Sequence, residues 1–175
     1  AVGVGGVLSG NVAVAEAITA GVVEAFIGAA SGRTRGGNPG ADISLSGALD
    51  VIAASDMDAT ATANGAGAGG ISFNVLIPTA WVTGATRAFA GDGTNLRASA
   101  LNILADSDVK AQATTAAISV GLLGAVNGGS AEAVVASDTE AFLGDRWDTT
   151  RVTQGSVQIR DTAGSPGVAN LDAIS

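Results

Sequence analysis

The chain has 175 residues, of which 47% are hydrophobic, 3% aromatic and 14% charged, with 26 glycines and a net charge of −8. This length suits one domain, and so low a charged fraction argues against intrinsic disorder. The acidic balance argues against nucleic acid as a partner, and the lack of cysteine and histidine excludes disulfides, thiolate metal sites and histidine-based catalysis within this chain.

The first thirty residues are rich in alanine, valine and glycine, yet they do not fit a signal peptide or a membrane span. No basic stretch precedes them, and Asn11, Glu16 and Glu24 interrupt them too closely for an uncharged span of about 18 residues. A helix over 11–26 is the alternative, because that segment contains many alanines and glutamates. The corresponding segment 130–142 is alternating and β-branched, which favours strands in both places.

Two strand-like segments further along the chain resemble each other closely. Residues 48–62 read ALDVIAASDMDATAT and residues 100–114 read ALNILADSDVKAQAT, so the two align without a gap at an offset of 52. Apolar and polar side chains alternate with a period of two, as in a strand with one buried face. A degenerate third copy, GSVQIRDTA, spans residues 155–163.

The face of this strand that we predict to point inward carries only small or branched apolar side chains. In the third copy, Val157 and Ile159 take the places of Leu101 and Ile103. The predicted inward file consists of Leu49, Val51, Ala53, Leu101, Ile103, Ala105, Val157 and Ile159. A charge placed on this file would be buried without a partner, so we expect it to disrupt the fold.

A second motif, Ala-Phe-x-Gly, occurs three times. Its phenylalanines are Phe26, Phe89 and Phe142, at spacings of 63 and 53. The Gly/Pro-rich segment 31–44 predicts a loop that explains the longer spacing. On a strand, each ring shares a face with the charged residue two positions earlier, which is Glu24, Arg87 or Glu140. Either the rings close the core at a corner of the fold, which we favour, or they project outward onto a neighbouring filament.

These spacings divide the chain into about three imperfect copies of a unit of about 50 to 60 residues. The approximate boundaries are 1–23 (partial), 24–86, 87–139 and 140–175 (partial), so we expect a single segment, 1–175, that begins and ends within a repeat. Short strands and small inward side chains predict an all-β fold, a right-handed parallel β-helix (β-solenoid), because alanine and valine fit between the walls of a narrow coil. At two or three coils per unit, we expect about eight coils stacked at the strand spacing.

The segment RAFAGDGTNLRASALNILADSDVKAQAT, residues 87–114, combines Ala-Phe-x-Gly, a Gly-Asp turn, Leu-x-Ile-x-Ala-x-Ser-Asp and Ala-x-Ala. With its flanking copies, this combination resembles the β-strand-repeat regions of giant bacterial surface exoproteins, which are parallel β-helix filaments similar in style to filamentous haemagglutinin and large adhesins. The resemblance extends over most of the chain and fades over 145–175. It implies secretion, an extracellular or cell-surface location, and a spacer or adhesive role.

Several aspartates lie where they could offer oxygen ligands to calcium: Asp56, Asp58, Asp92, Asp106 and Asp108. Calcium takes six to eight oxygen ligands, and the Gly-Gly-x-Gly-x-Asp array that binds it in other solenoids is absent. We therefore interpret these residues as solvated turn aspartates and assign no metal ligand.

Pairs of carboxylates also serve in glycoside hydrolysis, where two acids flank the scissile bond. Parallel β-helices that act on polysaccharides usually add basic or aromatic groups, but this chain has no tyrosine and only Trp81 and Trp147 as tryptophans. No spacing couples a carboxylate to a catalytic partner. We therefore assign no catalytic or cofactor-binding residue and expect no cofactor.

The sequence thus predicts a structural, non-catalytic module of an extracellular bacterial filament or adhesin that provides length and rigidity. We expect self-association or end-to-end stacking into a fibre, without nucleic acid or membrane insertion. A glycan or another cell-surface molecule is a further candidate partner. The alternative is a carbohydrate-binding or polysaccharide-cleaving β-helix, and a β-sandwich repeat is a third interpretation.

Overall fold

The computed structural model describes residues 2–4, 6–28, 41–91, 94–143, 158–160 and 168–174, with the backbone alone for the last two ranges. Within these residues the protein is all-β, as predicted, because it forms strands and no helix. The strands in chain order are β1 (Val2–Val4), β2 (Leu8–Ile27), β3 (Asp42–Ser44), β4 (Ala48–Ala90), β5 (Asn95–Arg97), β6 (Ala100–Gly129), β7 (Glu132–Leu143), β8 (Gln158–Arg160) and β9 (Val168–Ile174).

Burial alternates along these strands in the way that the sequence predicts. In β4, the odd-numbered residues from Val51 to Ala63 are buried or half-buried, and the even-numbered residues between them are exposed. Successive side chains of a strand point to opposite faces, so this pattern means that one face of β4 is covered. The predicted strand over 48–62 is confirmed, and the helix considered for 11–26 is replaced by β2.

The four strand pairings with a described register are parallel. β1 pairs with β4 (Val2 with Ala66), and β6 pairs with β9 (Ala100 with Val168), within a six-stranded sheet that also contains β2 and β7. A three-stranded sheet contains β3, β5 and β8, in which Asp42, Asn95 and Gln158 are aligned.

The register shows that the predicted count of about eight coils is wrong. Coils of about 20 residues would bring residues about 20 positions apart into neighbouring strands, since strands that stack are one coil apart. The observed pairs are instead 53 to 68 positions apart. Paired strands of these sheets are therefore separated by about one predicted repeat length of sequence. The alternation that suggested short coils runs through long strands: in β4 it holds from Val51 to Gly67, shifts by one residue at 69–70 and is lost over 83–90.

The third copy of the repeated strand also lies elsewhere than predicted. Ile159, which we aligned with Ile103, pairs with Leu96 in the three-stranded sheet. The segment that pairs with the start of β6 is β9, in which Leu171 lies beside Ile103. Val157, its predicted companion, falls outside the described residues. We aligned the short motif at 155–163 with the wrong strand, because five residues of apolar alternation are compatible with more than one strand position.

The chain divides into two compact units, each described here by itself. Unit 1 consists of Ala1–Ala20, Met57–Thr83 and Val109–Ala136. Its core cluster consists of Met57, Ala59, Ala61, Ala80 and Val82. Within unit 1 the chain of β4 doubles back, because Gly65 approaches Leu76 and Gly67 approaches Asn74 across the interior. Glycines of one part of β4 thus face the larger buried side chains Leu76 and Asn74 of the other part.

Unit 1 exposes many large apolar side chains. Those on β2 and β4 are Leu8, Val12, Val14, Ile18, Ile71, Phe73, Val75, Ile77 and Trp81, all between 38% and 70% exposed. The interior opposite them is mostly alanine. Many bulky apolar residues of this unit therefore lie on its surface, while Met57, Leu76 and Val82 are among the larger apolar side chains buried inside it.

Unit 2 consists of Gly21–Asp56, Gly84–Asp108 and Ser137–Ser175. Its core cluster consists of Ile27, Val51, Ala53, Ala88, Ala90, Leu96, Ala98, Leu101, Ile103 and Ala105. Five residues of the predicted inward file belong to this cluster, and Leu49 packs against it while half-buried. The inward orientation of these six residues is confirmed.

Candidate functional site

Three charged side chains from three strands of unit 2 form a charge ladder, defined as Glu24 on β2, Arg87 on β4 and Glu140 on β7. Arg87 Nη1 donates to Glu24 Oε1 at 3.4 Å, and Arg87 Nε donates to Glu140 Oε2 at 3.2 Å. The three side chains are only 12% to 17% exposed. Hydrogen bonds to charged groups are stronger than neutral ones, and partial burial reduces their screening by salt.

The phenylalanine ladder, defined as Phe26, Phe89 and Phe142, lies two residues further along the same three strands. The centroids of Phe26 and Phe89 are 5.5 Å apart with an interplanar angle of 16°, and those of Phe89 and Phe142 are 4.7 Å apart with an angle of 5°. Phe89 is 2% exposed, whereas Phe26 is 42% exposed. The outer rings therefore cover the central one, and the rings contact each other rather than only the core.

In unit 1, three asparagines are separated in the sequence by 63 and 53 positions, like the phenylalanines. Asn74, which is 1% exposed, donates from Nδ2 to Asn127 Oδ1 at 3.2 Å and to Ser119 Oγ at 2.7 Å. Asn11 lies close by, since its Nδ2 is 3.0 Å and the Cγ of Asn74 is 3.6 Å from the point where a β-carbon on Gly65 would lie. We call Asn11, Asn74 and Asn127 the asparagine ladder.

A hydroxyl set lies between the walls of unit 2. Ser55 Oγ donates to Ser107 Oγ at 3.1 Å, and it lies 2.6 Å from Thr86 Oγ1. Because the Ser55 proton is used toward Ser107, Thr86 is the donor to Ser55. Thr86 is fully buried and Ser107 is 5% exposed. Buried hydroxyls cost free energy unless they are hydrogen-bonded, so this pairing makes polar side chains tolerable inside the apolar cluster.

Glycine is required at position 84, where two strands of unit 2 approach each other closely. Gly84 has a φ of 155°, and a β-carbon built on it would collide with the backbone oxygen of Gly21. The positions are 63 apart, the same spacing as Phe26 and Phe89. A side chain at position 84 would separate the strands that hold both ladders of unit 2 in register.

The described aspartates among those considered as calcium ligands lie within β4 and β6 and not in the turns that we had predicted, and their side chains are exposed. Asp56, Asp106 and Asp108 are exposed, and Asp92 falls outside the described residues. The Asp58 carboxylate accepts from Thr60 Oγ1 at 3.0 Å and lies 3.9 Å from Lys110 Nζ, with both charged side chains more than half exposed. Over the described ranges, no three acidic side chains come together in a group that could hold a metal ion.

Of the two tryptophans considered for sugar binding, the structure describes one. Trp81 is 40% exposed in unit 1, and Trp147 falls outside the described residues. The charge ladder joins two carboxylates to one guanidinium, and it is not a pair of carboxyl groups that face each other as acid and base. Its arrangement can hold strands together and fix their register.

The sequence predicts that Glu24, Arg87 and Glu140 each share a strand face with a phenylalanine, but it did not lead us to predict contacts among the three charged residues. The signal was available, because these residues repeat at the same spacings of 63 and 53 as the phenylalanines. The asparagine ladder was missed although its members repeat at those spacings too. When side chains of different types recur at identical sequence spacings, the strands that carry them are expected to pair in the same register.

Comparisons with other proteins leave the chain without an assigned family. No family model, no curated protein and no solved structure matches it. Among the residues that the structure describes, none lies in a helix long and apolar enough to cross a membrane.

Proposed function

We propose that the chain is a structural, non-catalytic module of an extracellular bacterial filament or adhesin, folded as a right-handed parallel β-helix in which each repeat adds one coil. The observation that carries the proposal is the recurrence of three chemically unlike ladders at one pair of spacings. Charged, aromatic and amide side chains from successive repeats stack in the same order. The resemblance of residues 87–114 to bacterial surface repeats adds the extracellular context.

The proposed mechanism is mechanical. In parallel sheets the backbone hydrogen bonds run between neighbouring strands, which here means between repeats. Stacked aromatic pairs contribute about 0.5–1.5 kcal/mol each beyond their buried area. The Arg87 contacts add directional, partly buried hydrogen bonds at the same edge of the repeat. Together these interactions oppose the sliding of one repeat over the next.

If each repeat forms a single coil, it adds less length along the stacking direction than several short coils would. Each repeat of about 50 to 60 residues adds only one strand spacing, about 4.8 Å, along the stacking direction. Three short coils in the same repeat would add about three times that distance. The proposed role is therefore rigidity and a broad lateral surface more than reach.

Single-molecule force spectroscopy on the full chain, held at its two ends, tests this mechanical role. If repeats are the cooperative units, as in other stacked arrays, the chain should yield in steps that each release one repeat, which is about 180–220 Å of extended chain. Release without resolved force peaks, or in steps of about 70 Å as expected for 20-residue coils, would contradict the proposal.

A further inference from the structure

We propose that the interior of unit 1 binds an ordered water molecule that bridges Ser9 on β2 with Ser72 and Asn74 on β4. The water accepts hydrogen bonds from the two hydroxyl groups and donates one to the amide oxygen. It thereby joins two neighbouring strands through serines that are 63 positions apart in the sequence. All three residues belong to unit 1, and the site is independent of the proposed mechanical role.

Three buried oxygen atoms supply the first argument. Ser9 is 5% exposed, Ser72 is fully buried and Asn74 is 1% exposed. Within the part of the chain that the structure describes, Ser9 Oγ, Ser72 Oγ and Asn74 Oδ1 have no protein group as a hydrogen-bond partner. A buried polar atom without a hydrogen bond costs free energy. Buried waters typically satisfy such atoms with about three hydrogen bonds each.

The pairing of β2 with β4 brings the two serines side by side. Ile71 N–H donates to Val7 O at 2.8 Å, and in a parallel pair this bond aligns Ser72 with Ser9. Aligned residues of neighbouring strands are about 4.8 Å apart. A water that makes two hydrogen bonds of about 2.8 Å spans up to about 5.6 Å, so one water reaches both hydroxyl groups.

The amide of Asn74 is oriented by its contacts with β6. Its Nδ2 donates to Ile118 O at 3.1 Å, to Ser119 Oγ at 2.7 Å and to Asn127 Oδ1 at 3.2 Å. The nitrogen is therefore used toward β6, and Oδ1 remains as an acceptor. A water has two protons and two lone pairs, so it donates to this oxygen while it accepts from both serines.

Two aligned glycines leave room for the water. Gly67 on β4 pairs with Gly3 on β1, so neither strand has a side chain at this position. A β-carbon built on Gly67 would lie 3.4 Å from Asn74 Oδ1 and 3.5 Å from Ser72 Cβ, which are ordinary contact distances. The interior therefore accommodates a group of about methyl size beside these atoms, which is comparable to the space that one water needs.

The chemistry of the three oxygen atoms favours water over a cation. Two hydroxyls and one amide oxygen are neutral, and calcium takes six to eight oxygen ligands that include carboxylates. Among the described residues, no three acidic side chains are grouped to hold a metal ion. Stability should therefore be equal in sodium chloride and in tetramethylammonium chloride at the same concentration. Stabilisation that is specific to sodium would overturn water as the ligand.

Oxygen-17 relaxation dispersion on the full chain tests the site directly, because it counts water molecules that reside for long times inside a protein. Gly67→Ala should remove one such water, since its methyl group would occupy the same space at tolerated distances. Gly124→Ala is the matched control, because nothing lies within 4 Å of its β-carbon. It should retain the wild-type count. Equal counts in the wild type and Gly67→Ala would overturn the proposal.

A double-mutant cycle of Ser9→Ala and Ser72→Ala provides a second measurement. Each variant should lower the equilibrium constant of folding about two- to tenfold, as expected when a hydrogen bond is lost. Because both hydroxyls bind one water, the loss in the double variant should be smaller than the sum of the single losses. This coupling should disappear in the Gly67→Ala background. Additive losses, or stabilisation by either substitution as expected for a hydroxyl without a partner, would overturn the inference.

Discussion

Neighbouring residues of one strand differ sharply in burial. Val51 and Ala53 are 6% and 2% exposed, whereas Ile52 between them is 56% exposed. In the corresponding strand, Leu101 and Ile103 are fully buried or nearly so. Side-chain size thus does not distinguish inside from outside in this protein, because isoleucine occurs on both faces. A residue's place in the alternation of the strand decides which face it lies on.

Ile103→Asp should unfold unit 2 or destabilise it strongly, because the carboxylate would be buried in the cluster around Leu101 with no partner. We expect a loss of about 4 kcal/mol or more in the free energy of unfolding, the range associated with an unpaired buried charge. Urea denaturation followed by circular dichroism measures it.

Ile52→Asp is the matched control, since it makes the same chemical change on the exposed face of an equivalent strand. Surface substitutions usually change stability by less than about 0.5 kcal/mol. Comparable losses in the two variants, or an unchanged Ile103→Asp protein, would contradict the inward orientation.

At the scale of strands, the register between repeats is the main structural result. Ser55 and Ser107 are 52 positions apart and their Oγ atoms are 3.1 Å apart. Asn102 and Asp50, which are also 52 apart, are joined by a hydrogen bond of 2.6 Å from Asn102 Nδ2. The sequence offset between residues 48–62 and 100–114 therefore equals the offset between stacked neighbours.

This register predicts a disulfide in the variant S55C/S107C. Neighbouring strands are about 4.8 Å apart, which falls within the range of about 4.4–6.8 Å that a disulfide spans between α-carbons. The wild type has no cysteine that could compete. Mass spectrometry after oxidation should show an intramolecular bond in folded protein.

The variant S55C/V75C serves as the control for the coil length. Its cysteines are 20 positions apart, the separation that would be adjacent if the repeat contained short coils. We expect no bond between them in the folded chain. A bond here and none between positions 55 and 107 would restore the short-coil arrangement.

For the molecule as a whole, the competing function is the recognition or cleavage of polysaccharide. The structural module predicts that the protein releases no reducing sugar from any polysaccharide tested, because its described carboxylates are either exposed on the surface or engaged with Arg87, Asn102 and Lys110. Reducing-end assays on a panel of plant, algal and bacterial polysaccharides measure this directly.

Trp81→Ala provides the corresponding test for binding without cleavage. Trp81 is an exposed aromatic residue of unit 1 on which a sugar ring could stack. A glycan array should give the same profile for this variant and the wild type. Specific glycan signals that disappear in Trp81→Ala would favour the carbohydrate-binding alternative over the structural one.

The sequence by itself determined the strand character, the inward file and the spacing of its motifs. Alternation follows from the pleat of each strand, which is a local property of the backbone, and this explains why Leu101, Ile103 and Ala105 were placed correctly. It also explains why the acidic residues Asp56 and Asp108 were correctly expected at the surface.

Only the tertiary structure decided how many residues lie between stacked strands and which side chains meet there. Alternation continues unchanged through β4 to the point in unit 1 where the chain doubles back, so it cannot show where a coil closes. The choice of β9 as the neighbour of β6, and the position of Arg87 between Glu24 and Glu140, depend on contacts between residues more than 50 positions apart. Such contacts are selected by the burial and hydrogen bonding of the whole sheet, which no local pattern contains.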